Sequence, residues 1–512
     1  MNGTSVPCYE NVIIQSIIRT NTAKRCCNKR ITFLIWVHQQ LRDDCKGETT
    51  MQASGKDRSG NIDRRNLLKL TGITAAGSAL GLTASCQSVT PKVPSIDAGL
   101  TDKDYWKTIQ DQFILDPNQV YMNIGTTGAM PRRVLENFNQ YNHVIARHPM
   151  GFMDEMGWEI GSPKQREKLG RQFGCTMDEI SLSRNTTDAL NTILFSLPFE
   201  KNDEILLTHH EHLSALSPLN VLKDRLGVVL TEVEIPALDL ESAEQVVEAF
   251  KNRIGSRTKA ILFSHIPYKT GVRLPAKALC RLARENGLIS IVDGAHCTGM
   301  IELDFHDMGC DFYAASGHKW QCGPGATGIL YIRNHGDNLP ELWAQNSCLY
   351  TMLAQPIKNN RSQIKDISSL FVLRGQENYP AFQAMLDACD LWEEIGRDRI
   401  EMYDCNLGSY LKKRIQATFG DSAVLFSPDI PEFTSGLTSF NPFPDMHDPK
   451  KIQELVDRLQ KEGYVIRFTE FHLHVGDPKL TYALRISTHL FHDQEHVDGV
   501  VDSLHGLYRE MV

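Results

Sequence analysis

Two stretches in the middle of the chain decide the fold: LISIVDGAH at residues 288–296 and CDFYAASGHKWQCGPGATGILYIR at residues 310–333. Each contains short apolar runs that are typical of buried strands, and the runs end on polar residues or glycines. Before them, similar runs alternate with helical patterns, among them PAKALCRLARENG at 275–287, which begins with Pro and ends with Gly. This alternation predicts an α/β fold with a mainly parallel sheet.

The pattern changes after about residue 375. Long helical patterns run from Tyr379 to Phe419. Beyond them, TSGLTSFNPF, YVIRFTEF and LTYALRIST are predicted strands, and DPKKIQELVDRLQKEG is a predicted helix with Asp448 as its N-cap. The sequence therefore predicts a large α/β domain followed by a smaller α+β C-terminal domain.

Length and composition exclude several classes of protein. The 512 residues are 41% hydrophobic and 23% charged, which is the balance of a globular protein rather than a disordered or collagen-like one. A formal net charge of −8 gives no basic field for nucleic acid, so we expect no nucleic-acid partner. The 13 cysteines are too sparse for a disulfide scaffold, and no apolar run reaches the roughly 18 residues of a membrane span.

The N-terminal part differs from the rest because it is basic, whereas the remainder of the chain is acidic. Residues 51–86 begin with Met and carry Arg64 and Arg65 in the motif RRNLLKL, ahead of the weakly apolar run TGITAAGSALGLTASC. The pattern is typical of an export signal, the motif resembles a twin-arginine signal, and Cys86 resembles a lipidation site. We therefore predict that residues 51–86 are a signal and that residues 1–50 extend beyond the true start.

These predictions imply a location and partners. A twin-arginine signal places the mature protein outside the cytoplasm, in the periplasm or attached to a membrane by a lipid anchor at Cys86, and makes the twin-arginine export machinery a partner. The alternative is that the same stretch forms an amphipathic N-terminal helix, in which case the protein is cytoplasmic.

Three polar clusters follow predicted strands. Asp293 ends one strand and precedes His296, and Lys319 follows another strand within SGHKW. The third cluster, SRNTTDALN at 183–191, leads into a helix whose first-turn N–H groups suit a phosphate. Taken singly, each cluster is more typical of a turn, a surface lysine or a helix cap. Because ligands bind at the carboxyl ends of parallel strands, their order and spacing together favour a cofactor site.

In this order of motifs the chain resembles the class V aminotransferase family, which are pyridoxal-phosphate (PLP) enzymes of fold type I, and within it the isopenicillin N epimerase-like branch. The likeness is strongest in VDGAH, DFYAASGHKW and GPGATGILY, and YMNIGTTGAMP and LRISTHLF support it at the two ends. It covers roughly residues 105–510. The domains it implies are an N-terminal segment at 87–130, a large PLP-binding domain at 131–375 and a small C-terminal domain at 376–512.

The resemblance also implies a role for each candidate site residue. Lys319 would form the Schiff base with PLP, Asp293 would pair with the pyridinium nitrogen, and His296 would bond the ring hydroxyl oxygen. His212 would stack on the ring and take part in catalysis. The residues expected at the phosphate are Thr186, Thr187, Ser316 and His318, and those expected at the substrate are Arg485 and Asn123.

An enzyme with this site removes the Cα proton of an amino acid or amine, so the resemblance implies an aminotransferase or an epimerase, working as a homodimer. A PLP-dependent lyase of the same family is the alternative. Within that class, a cysteine desulfurase would need a cysteine in the loop before Arg485, and the last cysteine of the chain is Cys405. That activity is therefore not expected.

Two hypotheses lie outside the family. The run HHEH at 209–212, together with His472 and His474, is compatible with an exported metal-dependent hydrolase. Consecutive histidines on a strand point to opposite faces, so at most alternate ones converge. The other hypothesis is a non-catalytic binding protein. The presence of Lys319 and Asp293 argues against it, because a scaffold needs neither residue.

Overall fold

The computed structural model describes residues 102–150, 163–344, 366–372 and 374–512. The expected export signal, lipidation site and start of the chain lie outside these ranges. Within them, no helix is both long and apolar enough to cross a membrane. The strands, in chain order, are β1 (Val120–Tyr121), β2 (Ile180–Ser183), β3 (Glu204–Thr208), β4 (Val229–Val233), β5 (Thr258–Ser264), β6 (Ile289–Gly294), β7 (Phe312–Ser316), β8 (Gly328–Ile332), β9 (Val424–Leu425), β10 (Leu437–Asn441), β11 (Tyr464–Val465), β12 (Arg467–Phe471) and β13 (Thr481–Ser487).

Helices alternate with the strands of the large lobe and flank the sheet of the C-terminal lobe. In chain order they are α1 (Asp102–Gln110), α2 (Arg132–Arg147), α3 (Pro163–Gln172), α4 (Thr186–Ser196), α5 (Leu213–Leu226), α6 (Ala243–Lys251), α7 (Ala276–Glu285), α8 (Phe305–Met308), α9 (Ile367–Val372), α10 (Tyr379–Ile395), α11 (Arg397–Phe419), α12 (Pro449–Lys461) and α13 (Gln494–Met511), with short 3₁₀ helices at Gly420–Ser422 and Pro431–Phe433.

A seven-stranded sheet forms the centre of the large lobe. Its order is β2-β8-β7-β6-β5-β3-β4, and β8 alone runs against its neighbours. Alternate residues of each strand face opposite sides. Leu206 and Phe263 accordingly belong to one hydrophobic cluster, and Ile205 and Leu262 belong to another. The sheet is thus buried on both faces, which explains why its strands are apolar without alternation.

The C-terminal lobe has an antiparallel four-stranded sheet in the order β12-β13-β10-β9. Its core joins Leu411 of α11, Leu455 of α12 and Val500 of α13 to the sheet. Asp448 caps α12, as predicted, by accepting hydrogen bonds from the amides of the first turn. The predicted architecture is confirmed: an α/β lobe with a mainly parallel sheet, followed by a smaller α+β lobe.

Two predicted elements are divided in the structure. The helical pattern from Tyr379 to Phe419 breaks at Gly396, whose φ of 99° lies outside the helical region. The stretch YVIRFTEF forms two strands, because Tyr464 and Val465 pair in parallel with β1, whereas β12 pairs with β13. This pairing joins β1 to the C-terminal lobe, next to the loop of residues 122–131 that follows β1, here called the N-terminal loop.

Candidate active site

The candidate residues from the large lobe meet at one edge of the seven-stranded sheet. Asp293 lies near the end of β6 and Ser316 is the last residue of β7, while His212 follows β3 and Thr186 begins α4 after β2. These four strands run in the same direction, so their carboxyl ends share an edge. Lys319 lies three residues beyond β7 at the same edge.

Asp293 and Lys319 are the two charged groups at the centre of this edge. The Asp293 side chain is 2% exposed; its Oδ1 accepts a hydrogen bond from the Ala295 amide at 2.9 Å, and its Oδ2 is buried without a partner among the described residues. Burial raises the pKa of Asp293 and lowers the pKa of Lys319 to about 8, while each charge partly offsets the effect on the other. At neutral pH a minor fraction of Lys319 is therefore the neutral amine, and it lies beside an Asp293 oxygen that has no partner among the described residues.

The start of α4 forms an anion cradle. Thr186 and Ser316 are buried, and their hydroxyl oxygens lie 2.6 Å apart. Asn185 caps the helix by accepting a hydrogen bond from the Asp188 amide at 2.8 Å, which leaves first-turn N–H groups directed outward. Thr187 is exposed beside them.

His318, between Ser316 and Lys319, is partly enclosed and mainly neutral. Burial lowers the pKa of its imidazole, with a further contribution from the Lys319 charge. Its Nδ1 is buried and lacks a partner among the described residues. A ring nitrogen in this state is available for one hydrogen bond to a bound group.

His296 is held in one tautomer by a neighbouring tryptophan. The Trp320 indole donates a hydrogen bond from Nε1 to His296 Nδ1 at 3.1 Å, and both side chains are buried. Burial lowers the pKa of His296 well below its usual value, so the ring is neutral. Because its Nδ1 accepts, the proton must reside on Nε2, and His296 presents an N–H donor.

His212 lies at the start of α5, where its ring also serves as the helix cap. The Ser214 amide donates a hydrogen bond to His212 Nδ1 at 3.1 Å, and Tyr268 packs edge-on against the ring with centroids 4.8 Å apart. Burial, followed by the Lys319 charge, lowers the pKa of His212 to about 4. The ring is therefore neutral and has an exposed surface, as a stacking partner requires.

Arg485 reaches the same edge from β13. It is 2% exposed, and its Nη2 donates hydrogen bonds to Asn123 Oδ1 and Thr126 Oγ1, both at 2.9 Å. Its Nε is buried without a partner, and Arg485 has no acidic partner in the described part of the chain. Burial lowers its pKa to about 10, which still leaves it charged at neutral pH. The guanidinium is fixed in place with capacity for an anion.

The N-terminal loop brings the two halves of the site together. A Cβ atom on Gly125 would lie 3.3 Å from both the Arg485 guanidinium and the His296 Cε1 atom, so the backbone fits between these two side chains. The structure thus gathers ten residues named from the sequence around one edge: Asn123, Thr186, Thr187, His212, Asp293, His296, Ser316, His318, Lys319 and Arg485. Their individual roles stay predictions.

Sequence reasoning missed several supporting residues. Thr126 contacts Arg485, and its position three residues after Asn123 in the quoted motif was a usable signal. Arg467 stands opposite Arg485 across β12 and β13 and approaches Thr126 at 3.4 Å. Only the strand register brings Arg467 to this place.

A second missed group ties the C-terminal lobe to the Lys319 loop. His489 and Asp404 are completely buried, and His489 Nδ1 lies 2.7 Å from Asp404 Oδ2. The other ring nitrogen, Nε2, donates to the carbonyl of Trp320 at 2.8 Å. Although burial opposes a charged ring, the Asp404 carboxylate raises the pKa of His489 to about 10. This chain of contacts links Asp404, through Trp320, to His296.

The metal-site hypothesis receives no support. No group of three or more His, Cys, Asp or Glu residues is arranged to hold a metal ion in the ranges that the structure describes. The rings of His209 and His210 are in contact, with centroids 3.8 Å apart and planes tilted by 33°, and Glu211 accepts hydrogen bonds from Thr208 and Ser264. His474 instead lies 2.8 Å from Glu234.

The features of this edge fit PLP. The unpartnered Asp293 oxygen suits the N–H of a protonated pyridine, and the lowered pKa of the Lys319 amine, about 8, favours its attack on an aldehyde. The cradle of Thr186 and Ser316 at a helix N-terminus suits a phosphate, and His318 adds a free ring nitrogen.

Comparison with known proteins supports the same identification. Residues 120–500 match the family model described as aminotransferase class-V. The chain is 28% identical over 413 residues to isopenicillin N epimerase of Streptomyces clavuligerus, which covers 79% of this chain and 99% of that protein. It is 26% identical over 421 residues to a probable cysteine desulfurase of Halalkalibacterium halodurans, with 77% and 95% covered.

Solved structures share the fold at lower identity. The cystine C-S lyase C-DES, in complex with cysteine persulfide, superposes with a TM-score of 0.64 at 22% identity and covers 76% of this chain and 98% of its own. A C-DES variant with glycine covalently linked to its PLP cofactor gives a TM-score of 0.65, also at 22% identity, with 77% and 98% covered.

Proposed function

Because this chain belongs to the class-V aminotransferase family and takes PLP as its cofactor, we propose that it acts at the Cα of an α-amino acid, as an aminotransferase or an epimerase. The supporting relatives are isopenicillin N epimerases on the one hand and probable cysteine desulfurases on the other. The lyase alternative within the family is an outcome of the test below.

The observation that carries the proposal is the state of Arg485. The guanidinium is buried, is held by Asn123 and Thr126, and has no acidic partner in the described part of the chain. A buried cation without a counter-ion is costly unless a ligand supplies the missing charge. The α-carboxylate of an amino acid supplies that charge in bidentate form.

The surrounding residues divide the remaining work. When bound, PLP withdraws electrons from the substrate Cα. The pKa of about 8 gives Lys319 a larger free-base fraction at neutral pH than an ordinary lysine has, and we assign to it the transfer of the Cα proton. We assign Asp293 Oδ2 as the acceptor of the hydrogen bond from the protonated ring nitrogen of PLP. We assign the Nε2–H group of His296 as the donor to the ring hydroxyl oxygen.

Thiol chemistry of the desulfurase type is not proposed. The described cysteines are buried, apart from the half-buried Cys405. Burial raises the pKa of both Cys297 and Cys405 to about 12, so neither is a thiolate at neutral pH. Sulfur transfer would need an accessible thiolate.

The test is Cα proton exchange by the purified holoenzyme in D₂O, with both enantiomers of a panel of amino acids followed by NMR. Exchange with inversion identifies an epimerase, and exchange that yields product only with added 2-oxo acid identifies an aminotransferase. Release of ammonia and a 2-oxo acid without an acceptor identifies a lyase. Absence of exchange with every amino acid would contradict the proposal.

We also propose export by the twin-arginine route and assembly as a homodimer. The export proposal rests on RRNLLKL and the run after it. It is tested by fractionating cells that express the full chain or the Arg64→Lys, Arg65→Lys variant, which should remain in the cytoplasm.

The homodimer is tested by light scattering of the purified protein. A single peak at the monomer mass would contradict it.

A further inference from the structure

Two arginines stand face to face beside the site. Arg467 of β12 and Arg485 of β13 are direct partners in the antiparallel ladder, so their side chains leave the sheet on the same face. Both guanidinium groups converge on one hydroxyl, Thr126 Oγ1, at 3.4 Å from Arg467 Nη1 and 2.9 Å from Arg485 Nη2. Like charges at directly opposed positions destabilise a sheet.

The pair lacks the acidic partners that other arginines have. Arg166 and Arg397 are buried as Arg485 is, and each forms an ion pair, with Asp366 at 2.8 Å and Glu393 at 2.5 Å respectively. Within the described ranges, Arg467 and Arg485 form no ion pair, and their contacts are to neutral groups. The buried Arg485 charge therefore lacks a protein counter-ion in these ranges, and the exposed Arg467 charge beside it leaves room for a second anionic group.

The second guanidinium is close enough to influence the site. The Arg467 charge contributes to lowering the pKa of both Lys319 and His212, although burial is the larger cause for each. Unlike Arg485, Arg467 is exposed. It therefore lies on the solvent side of Arg485, where a bound ligand can reach it.

We propose that Arg467 binds a second acidic group, so that the enzyme selects α-amino acids with an anionic side chain. Arg485 takes the α-carboxylate, and Arg467 takes the side-chain anion a short distance away. This inference rests on the proposed function and adds the substrate class. Because the two guanidinium groups share the Thr126 hydroxyl, we expect short acidic side chains such as those of aspartate and glutamate to fit.

Binding to the holoenzyme gives a readout that does not depend on turnover. Calorimetry with glutarate and butyrate compares a dicarboxylate with a monocarboxylate of similar length. We expect glutarate to bind roughly 10- to 100-fold more tightly, as for an added charge-assisted hydrogen bond. Arg467→Gln should remove most of this difference, and Arg467→Lys should retain part of it.

The matched control is Arg509→Gln, which removes an exposed guanidinium from the same lobe at the end of α13. It should leave the preference for glutarate unchanged. Equal affinity of the wild-type holoenzyme for the two acids would overturn the proposal, as would an equal loss of preference in the Arg509 variant.

Cα proton exchange then tests selection during the reaction. The ratio of kcat/KM for glutamate to that for glutamine, and for aspartate to asparagine, should fall about tenfold or more in Arg467→Gln. A uniform loss on acidic and neutral substrates would mean that both arginines hold the α-carboxylate, and would refute the second anion site. Failure of the proposed function itself would be recognised differently, as no exchange with any amino acid in the wild type.

Discussion

The two regions that form the site hold their side chains by different means. At the edge of the seven-stranded sheet, Asp293 and Ser316 lie within strands, and Thr186 begins a helix, so the topology itself positions them. In the C-terminal lobe, Arg485 and Arg467 are positioned by the register of one antiparallel pair and by the hydroxyl of Thr126 in a distant loop.

This difference separates the residues that suit the cofactor from the residues that suit the substrate. The groups that suit the cofactor belong to the large lobe, where moving one would disturb a parallel sheet buried on both faces. The groups that suit the substrate come from a hairpin and a loop, which tolerate substitution more readily. One fold can then keep one cofactor while its substrate changes, which accords with the different activities named among the relatives.

The largest effect is expected in the large lobe, from Lys319→Ala. The variant should still bind PLP through Asp293 and the phosphate cradle, but without the covalent link, and Cα proton exchange should fall by about 10³-fold. Visible absorbance and mass spectrometry after borohydride reduction measure the link. Lys277→Ala, at an exposed lysine of the same lobe, is the control and should retain it. A covalent PLP adduct in the Lys319 variant would contradict the assignment.

The junction of the two regions should show the next largest effect. Asp404→Asn removes the carboxylate beside the buried His489, and loss of one partner of a buried pair costs about 3 to 5 kcal/mol in the free energy of unfolding. Denaturant titration measures it. Glu234→Ala, which breaks the half-exposed pair with His474, should cost less than about 1 kcal/mol. Equal losses in the two variants would show that the buried Asp404–His489 pair is no more important for stability than an exposed pair.

The side chains of the two regions could be predicted from the sequence to different extents. The α/β fold follows from apolar runs and their punctuation, and residues at strand ends such as Asp293 and Lys319 could be named because parallel strands bring their ends together. Arg467 and the Asp404–His489 pair could not, because their contacts depend on strand register and on packing between residues 85 positions apart. No local pattern encodes such contacts.

A change confined to the C-terminal lobe should affect substrate but not cofactor. Arg485→Gln keeps a polar side chain near Asn123 and Thr126, and we expect kcat/KM for amino acids to fall roughly 10- to 100-fold, mainly through a higher KM. The visible absorbance of bound PLP should stay as in the wild type. Arg509→Gln again serves as the control for loss of one positive charge. Loss of PLP from the Arg485 variant would show that the two regions do not divide the work as proposed.

The smallest expected effect is a shift in the pH dependence of PLP loading. The two regions should shift its midpoint in opposite directions. In the PLP-free protein, only the neutral Lys319 amine attacks an aldehyde, so the rate of PLP loading should rise with pH to a midpoint near the lysine pKa of about 8. The Asp293 carboxylate raises that pKa and the Arg485 charge lowers it, although burial is the main cause of the shift. Asp293→Asn should therefore move the midpoint to lower pH, and Arg485→Gln should move it to higher pH, each by less than about one pH unit. Stopped-flow absorbance across a pH series measures both midpoints. Shifts in the same direction, or a wild-type midpoint near the pKa of a free lysine, would contradict the opposite effects of the two regions on the Lys319 pKa.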